Sequence, residues 1–324
     1  MLSFAGMPGI DRIIFFGTPE FAVPTLAALV DAGRAPVRVV AQPSRPAGRG
    51  RRPLDPPVAA WAREHGLEVT QPERVRDPAF LEEMAALAPD LAVVVAFGQI
   101  FPRALLDLPR HGCVNLHASL LPRWRGASPI QAAVAAGDAR TGLTTMRMEA
   151  GLDSGPILLQ EETEVGPDET ADALARGLAE MGGRLMVATI ERLERGGLEP
   201  RPQPEEGVTF APKLTRDSGH ADWRLAARDI YDRWRAYTPW PGLASGLRGE
   251  PVKVIAAEVL DGAEGDAAGA APGTILGLRG GRLAVACGGG TVLGLTELQR
   301  PGKRALRAAD FVNGERLRAG ESFS

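Results

Sequence analysis

Apolar positions along the chain fall in short blocks separated by stretches with helical spacing. RIIFFG at Arg12 to Gly17 is an apolar run ending in a Gly-Thr-Pro turn, and FAVPTLAALVDAG after it has the spacing of a helix closed by Gly33. VRVVAQ from Val37 and LEVTQP from Leu67 predict further strands, while DLAVVVAF from Asp90 is a β-branched run of the kind buried in parallel sheets. Pro57 to His65 and Pro78 to Leu87 fill the gaps as helices. This βαβ alternation predicts an α/β fold, a doubly wound, mostly parallel, Rossmann-like sheet with helices on both faces.

The pattern changes further along. A helix over Pro129 to Ala136 precedes TTMRMEA and GLDSGPILLQ, and another spans Thr170 to Arg195. GGLEPRPQPEEG, rich in Pro, Gly and charge, reads as a linker. A short helix around Trp223 to Ala236 and four strand signals follow: PVKVIAAEVL, GTILGLRG, RLAVACGG and TVLGLTELQ. Glycine-rich turns at that spacing fit a small OB-like β-barrel, with a β-sandwich as the other reading. The expected organisation is a first domain over 1–197 with a basic insertion near 42–53, a linker over 198–211 and a second domain over 212–324.

Length and composition agree with two domains of an ordinary globular protein: 324 residues, 44% hydrophobic and 24% charged. No apolar run approaches the roughly 20 residues that span a bilayer, and the first ten residues lack the positive start of an export signal, so no membrane association is expected. Two cysteines, Cys113 and Cys287, lie far apart without CxxC spacing; a cytoplasmic protein with no disulfide framework and no metal is expected. The net charge of −3 hides an asymmetry, since the part from Thr209 onward has 16 Lys and Arg against 13 Asp and Glu.

Candidate chemistry gathers where a doubly wound sheet binds its ligand, beyond the carboxyl ends of the central strands, where Phe97–Ile100 and Asn115–His117 fall. The first turn reads GTPEF, and Pro19 and Glu20 stand where a dinucleotide pyrophosphate needs glycine, which argues against NAD. Asn115 and His117, two apart in an extended segment, share a face. An amide that can bind an oxyanion beside an imidazole that can move a proton suits acyl transfer to a weak nucleophile; the plainer reading is a strand end bonded to local backbone. Asp153 sits in a turn between Gly151 and Gly155 that brings a carboxylate to the end of a strand; the plainer reading is a cap of its own turn. Leu120, Leu121 and Pro122 read as core or as one wall of an apolar slot. His65 and His220 are expected at the surface and His111 in a turn.

Arg45, Arg49, Arg51 and Arg52 on a Pro- and Gly-rich frame suit a phosphate backbone, or simply a solvated loop. Lys213, Arg216, Arg300, Lys303, Arg304 and Arg307 form a basic set near Trp234, Tyr237 and Trp240, with Trp234 and Trp240 read as packing residues.

NLHASLLPRWRGASPIQ at Asn115 to Gln131, GLDSG at Gly151 to Gly155 and QPSRPAGRGRRP at Gln42 to Pro53 closely resemble the methionyl-tRNA formyltransferase family over nearly the whole chain. SLLP alone is shared by the wider group of formyltetrahydrofolate-using enzymes; the basic insertion, the PRWRGASPIQ continuation and the small barrel narrow it to the tRNA branch. The resemblance implies formyl transfer from 10-formyltetrahydrofolate to the α-amine of initiator Met-tRNA for translation initiation. Asn115, His117 and Asp153 would be the catalytic trio, with His117 protonated against the oxyanion. Ser119, Leu120, Leu121 and Pro122 would wall the folate, and Arg45, Arg49 and Lys213 would contact tRNA. An Arg- and Ala-rich composition with few lysines suggests a GC-rich bacterial source, and a cytoplasmic monomer is expected. An amino-sugar formyltransferase and an RNA-binding protein on a decayed scaffold are the competing readings. Two departures stand out: Phe97 where relatives often have tyrosine, and Ala118 where glycine is common.

Overall fold

The computed structural model describes residues 9–47, 52–260 and 267–324 and divides into two compact units. The first comprises residues up to 129, 140–164 and 175–211; the second comprises 130–139, 165–174 and 212–324.

In the first unit the chain runs β1 (Ile13–Gly17), α1 (Val23–Asp31), β2 (Arg38–Val40), β3 (Arg45–Ala47), β4 (Arg52–Leu54), α2 (Pro57–Glu64), β5 (Val69–Thr70), α3 (Pro78–Ala86), β6 (Leu91–Val95), α4 (Arg103–Leu106), β7 (Cys113–His117) and β8 (Arg125–Gly126). After α5 (Pro129–Ala135), all but its first residue assigned to the second unit, come β9 (Arg140–Arg147), β10 (Ile157–Glu164), the long α6 (Ala171–Glu194), which belongs to the first unit from Ala175 on, and β11 (Phe210–Ala211). The main sheet has the order β10-β9-β7-β6-β1-β2-β5. The strands from β7 to β5 are parallel, whereas β9 is antiparallel to β7 and β10 to β9.

Both β1 and β6 are buried at all five positions, which is why they read as unbroken apolar runs. At their carboxyl ends Phe16, Phe97 and Phe101 pack edge to face, with ring centroids 4.9–5.9 Å apart. The phenyl ring of Phe97 is therefore core. Its carbonyl accepts hydrogen bonds from the Thr18 hydroxyl (3.0 Å) and the Gln42 amide (3.1 Å), which fix the loop after β6.

The stretch read as a linker packs along the first unit instead of standing off as a spacer. Arg201 exchanges backbone hydrogen bonds with Ile157 at 2.8 Å each way, and β11 pairs in parallel with β8. Its prolines stop helix formation but leave carbonyls and amides free to pair at sheet edges.

In the second unit α7 (Ala227–Tyr237) leads to β12 (Leu243–Leu247), β13 (Glu250–Val259), β14 (Ile275–Arg279), β15 (Arg282–Ala286), β16 (Val292–Gln299), β17 (Leu306–Arg307) and α8 (Ala308–Glu315). The sheet is antiparallel with order β12-β13-β16-β15-β14 and β17 on β16. Its ends are joined by the last residues of the chain: Leu247 bridges Phe323 and Thr274 bridges Ser322. The closed core includes Trp223, Ile230, Phe311 and Phe323, and the Trp223 indole donates to Ser245 Oγ at 2.9 Å. Three features were not anticipated: β12, α8 and closure through the tail. Trp234 is partly buried and donates to the Ile255 carbonyl at 3.1 Å, but Trp240 is 55% exposed and is no packing residue.

α7 also carries a buried ion pair. Arg235 Nε donates to Asp232 Oδ1 at 2.7 Å, and its Nη1 reaches the carbonyls of Gly166 (3.2 Å) and Glu169 (3.1 Å). Among the described residues no helix is long and apolar enough to cross a membrane.

Candidate active site

β7 places the first two site residues. Cys113, Val114, Leu116 and His117 are buried and Asn115 half-buried. The two-residue repeat of a strand puts the side chains of Asn115 and His117 on one face at its carboxyl end. Asn115 lies in register with Val94 of β6 and Met146 of β9, and His117 with Thr144. Among the described residues the half-buried Asn115 side-chain amide makes no hydrogen bond to the protein.

His117 is 6% exposed, and its Nε2 lies 2.9 Å from the Trp124 carbonyl oxygen. A carbonyl can only accept, so Nε2 carries hydrogen and the neutral ring turns a bare Nδ1 toward Asp153, whose Oδ2 is 3.8 Å away. Burial of the ring is the dominant influence and holds His117 below its ordinary value; Asp153 and the Trp124 carbonyl pull the other way without overcoming it. Burial therefore favours the neutral ring at rest, and Nδ1 is the ring nitrogen that faces Asp153.

Asp153 reaches the imidazole from a turn held by backbone and side-chain donors. Its φ of +46° is left-handed, a conformation Asp tolerates better than most residues. Gly126 N–H donates to Asp153 Oδ2 at 2.8 Å, so β8 orients the carboxylate. Gly126 has φ +124°, and a Cβ there would stand 2.5 Å from the Ala211 carbonyl oxygen of β11, so the position requires glycine.

The four residues assigned to the folate wall divide in two. Ser119 and Leu121 are consumed internally: Ser119 Oγ donates to the Arg123 carbonyl at 2.6 Å, and Leu121 packs with Met146 and Ile157. Thr144 Oγ1 ties the turn together, donating to the Ser119 carbonyl (2.7 Å) and accepting Leu121 N–H (3.1 Å). Leu120 and Pro122 are half-buried and keep surface for contact. Arg45 is exposed on β3 opposite Leu54 of β4; Arg49 lies outside the described residues. Lys213 is exposed and belongs to the second unit.

Sequence reasoning missed the Trp124 carbonyl, the Gly126 amide, Thr144 and Gln203. Backbone groups carry no sequence signal, and Gln203 lay hidden among the prolines of RPQP. No group of three or more His, Cys, Asp or Glu side chains suited to a metal occurs among the described residues.

The formyl transferase family model matches residues 11–190, and the model of the formyl transferase C-terminal domain matches 213–316. A methionyl-tRNA formyltransferase of Halorhodospira halophila is 50% identical over 310 residues, covering 96% of this chain and 98% of the relative. One from Acidobacterium capsulatum is 47% identical, with 94% and 97% coverage. Among solved structures, an N-formyltransferase from Helicobacter canadensis, determined with folinic acid and dTDP-3-aminofucose, superposes with a TM-score of 0.65. It is 15% identical, the match covers 88% of this chain and 98% of that one, and the likeness is one of fold. With both halves matched and half of the aligned positions shared with a relative covered over 98% of its length, this chain belongs to the methionyl-tRNA formyltransferase family.

Proposed function

We infer that this chain transfers a formyl group from 10-formyltetrahydrofolate to the α-amine of methionine on initiator tRNA. One observation carries the reading: an unpartnered Asn115 amide and a buried, neutral His117 backed by Asp153 stand together at the carboxyl edge of the sheet. The bound folate supplies a formyl carbon already activated on nitrogen. Asn115 donates to the formyl oxygen as negative charge develops there, worth about 2.7–4 kcal/mol for a well-placed donor. His117 Nδ1 accepts the proton lost by the attacking amine, Asp153 stabilises the imidazolium so formed, and the proton passes to the folate nitrogen as its bond to the formyl carbon breaks, releasing tetrahydrofolate and restoring the neutral ring. The Trp124 carbonyl keeps the ring in the tautomer that leaves Nδ1 bare.

The folate lies against Leu120 and Pro122, with Ser119 and Leu121 shaping the turn beneath them. Arg45 and Arg49 of the 42–53 insertion and Lys213 after the 198–211 strap contact the tRNA backbone. The first domain performs the chemistry and the second adds affinity for tRNA, the enzyme acting as a cytoplasmic monomer. The test is transfer of labelled formyl to purified initiator Met-tRNA, elongator Met-tRNA and a nucleotide-linked amino sugar. Transfer confined to the initiator is the expected result. Transfer to the sugar alone would leave the trio standing and overturn the tRNA assignment.

A further inference from the structure

We propose that Gln203, in the Pro-rich strap after α6, is a positioning residue for Asp153. The inference rests on Asp153 belonging to the active site. Gln203 Nε2 donates to the Asp153 carbonyl at 2.7 Å and to the Gly155 carbonyl at 2.8 Å, so it holds the turn on the C-terminal side of the residue that faces His117. Gln203 Oε1 accepts from Arg125 Nε (3.0 Å) and Nη2 (2.7 Å). These contacts fix the amide's orientation. The guanidinium has only donors and the turn offers only carbonyls, so reversing the amide would break all four bonds.

Arg125 adjoins Gly126, whose N–H holds the carboxylate end of Asp153. The backbone end is held through Gln203, and β8 is thus the reference for both. The turn needs such a clamp, because Asp153 is left-handed and Gly155 packs so closely that a Cβ would lie 1.8 Å from the Arg147 carbonyl. Without Gln203 the turn's two carbonyls lose their donor, and the carboxylate is no longer fixed at 3.8 Å from Nδ1.

The substitutions are Gln203→Met, which keeps length and volume but donates nothing, and Gln203→Glu, which keeps an acceptor for Arg125 but sets a carboxylate against two carbonyls. A misplacement on the order of 1 Å costs about 10²-fold in rate, so single-turnover formylation in both variants should fall by about 10²-fold with KM for Met-tRNA and folate within about threefold. A residue that merely stabilised the fold would lower the melting temperature without this split. In an Asp153→Asn background, Gln203→Met should cost no more than about twofold further, because the group it positions has already lost its charge. Losses that multiply in the double variant, or a wild-type rate for Gln203→Met, overturn the proposal. If Asp153→Asn keeps the wild-type rate, the reading of the site falls, and this inference with it. An impaired Asp153→Asn beside a fully active Gln203→Met removes the inference alone.

Discussion

Replacing Asp153 by Asn isolates the charge at the site. The amide oxygen of asparagine still accepts the Gly126 N–H that Asp153 Oδ2 accepts at 2.8 Å, so the turn keeps its geometry and only the negative charge facing His117 is lost. At the 3.8 Å between Nδ1 and Oδ2, attraction to an imidazolium is about 1 kcal/mol in the dielectric of water and about 4 kcal/mol at an effective dielectric of 20. His117 is 6% and Asp153 18% exposed at the side chain, which places the pair toward the larger figure. At 1.36 kcal/mol per decade the rate of the chemical step should fall by about 10²- to 10³-fold.

The pH dependence gives a second, independent readout. Burial holds His117 below 6.5, and Asp153 acts against it, because an opposite charge favours the protonated ring. Removing that charge lowers the value further. The acid limb of the rate profile, where activity is lost as the ring becomes protonated, should therefore move to lower pH in the variant. Above neutral pH both rings are neutral, so the plateau difference measures stabilisation of the imidazolium formed during reaction and not a change in resting protonation. Single-turnover formylation across pH with saturating folate measures both quantities. An acid limb that moves to higher pH, or a plateau reduced less than about twofold, would refute the assignment of Asp153 as the partner of His117.

Other expected outcomes concern the two cores. Arg235→Met leaves Asp232 buried with Arg228 as its remaining ion-pair partner and strips a donor from the Gly166 and Glu169 carbonyls, at a cost of about 1.5–3 kcal/mol. Urea unfolding should show this loss and its partial recovery in an Asp232→Asn, Arg235→Met double variant; a loss below about 1 kcal/mol would contradict the buried pair. Burial pushes the thiols of Cys113 and Cys287 up to about 12, so at pH 8 neither should react with a thiol reagent until the chain unfolds. A rapidly labelled thiol in the native protein would count against both placements.

What the sequence disclosed follows the range over which each feature is determined. The strands β1 and β6 are legible because burial on both faces requires uninterrupted apolar residues, and Asn115 and His117 because the strand's own repeat puts them together. β12 escaped notice because LASGL places Ser and Gly where β-branched residues would mark a strand, its core side being served by Leu243, Ser245 and Leu247. α8 is short and only weakly apolar, so no periodicity develops over its eight residues.

The electrostatic setting of His117 escapes a local reading for a different reason. A neighbouring carboxylate is visible in a motif, but the desolvation that outweighs it depends on how the whole unit closes over the ring. The same holds for what fixes that carboxylate. Gly126 is 27 residues from Asp153, Gln203 is 50 residues beyond it, and Arg125 is 78 residues from Gln203. No local pattern links them. The strap around Gln203 reads as a spacer because Pro, Gly and charge prevent an element of its own, and the same irregular backbone lets a side chain reach two carbonyls of a distant turn. In this fold the pairing of Asn115 with His117 is set by the strand's own short-range spacing. The groups that decide whether that chemistry is in place come from segments with no secondary-structure signature, and only the closed structure brings them together.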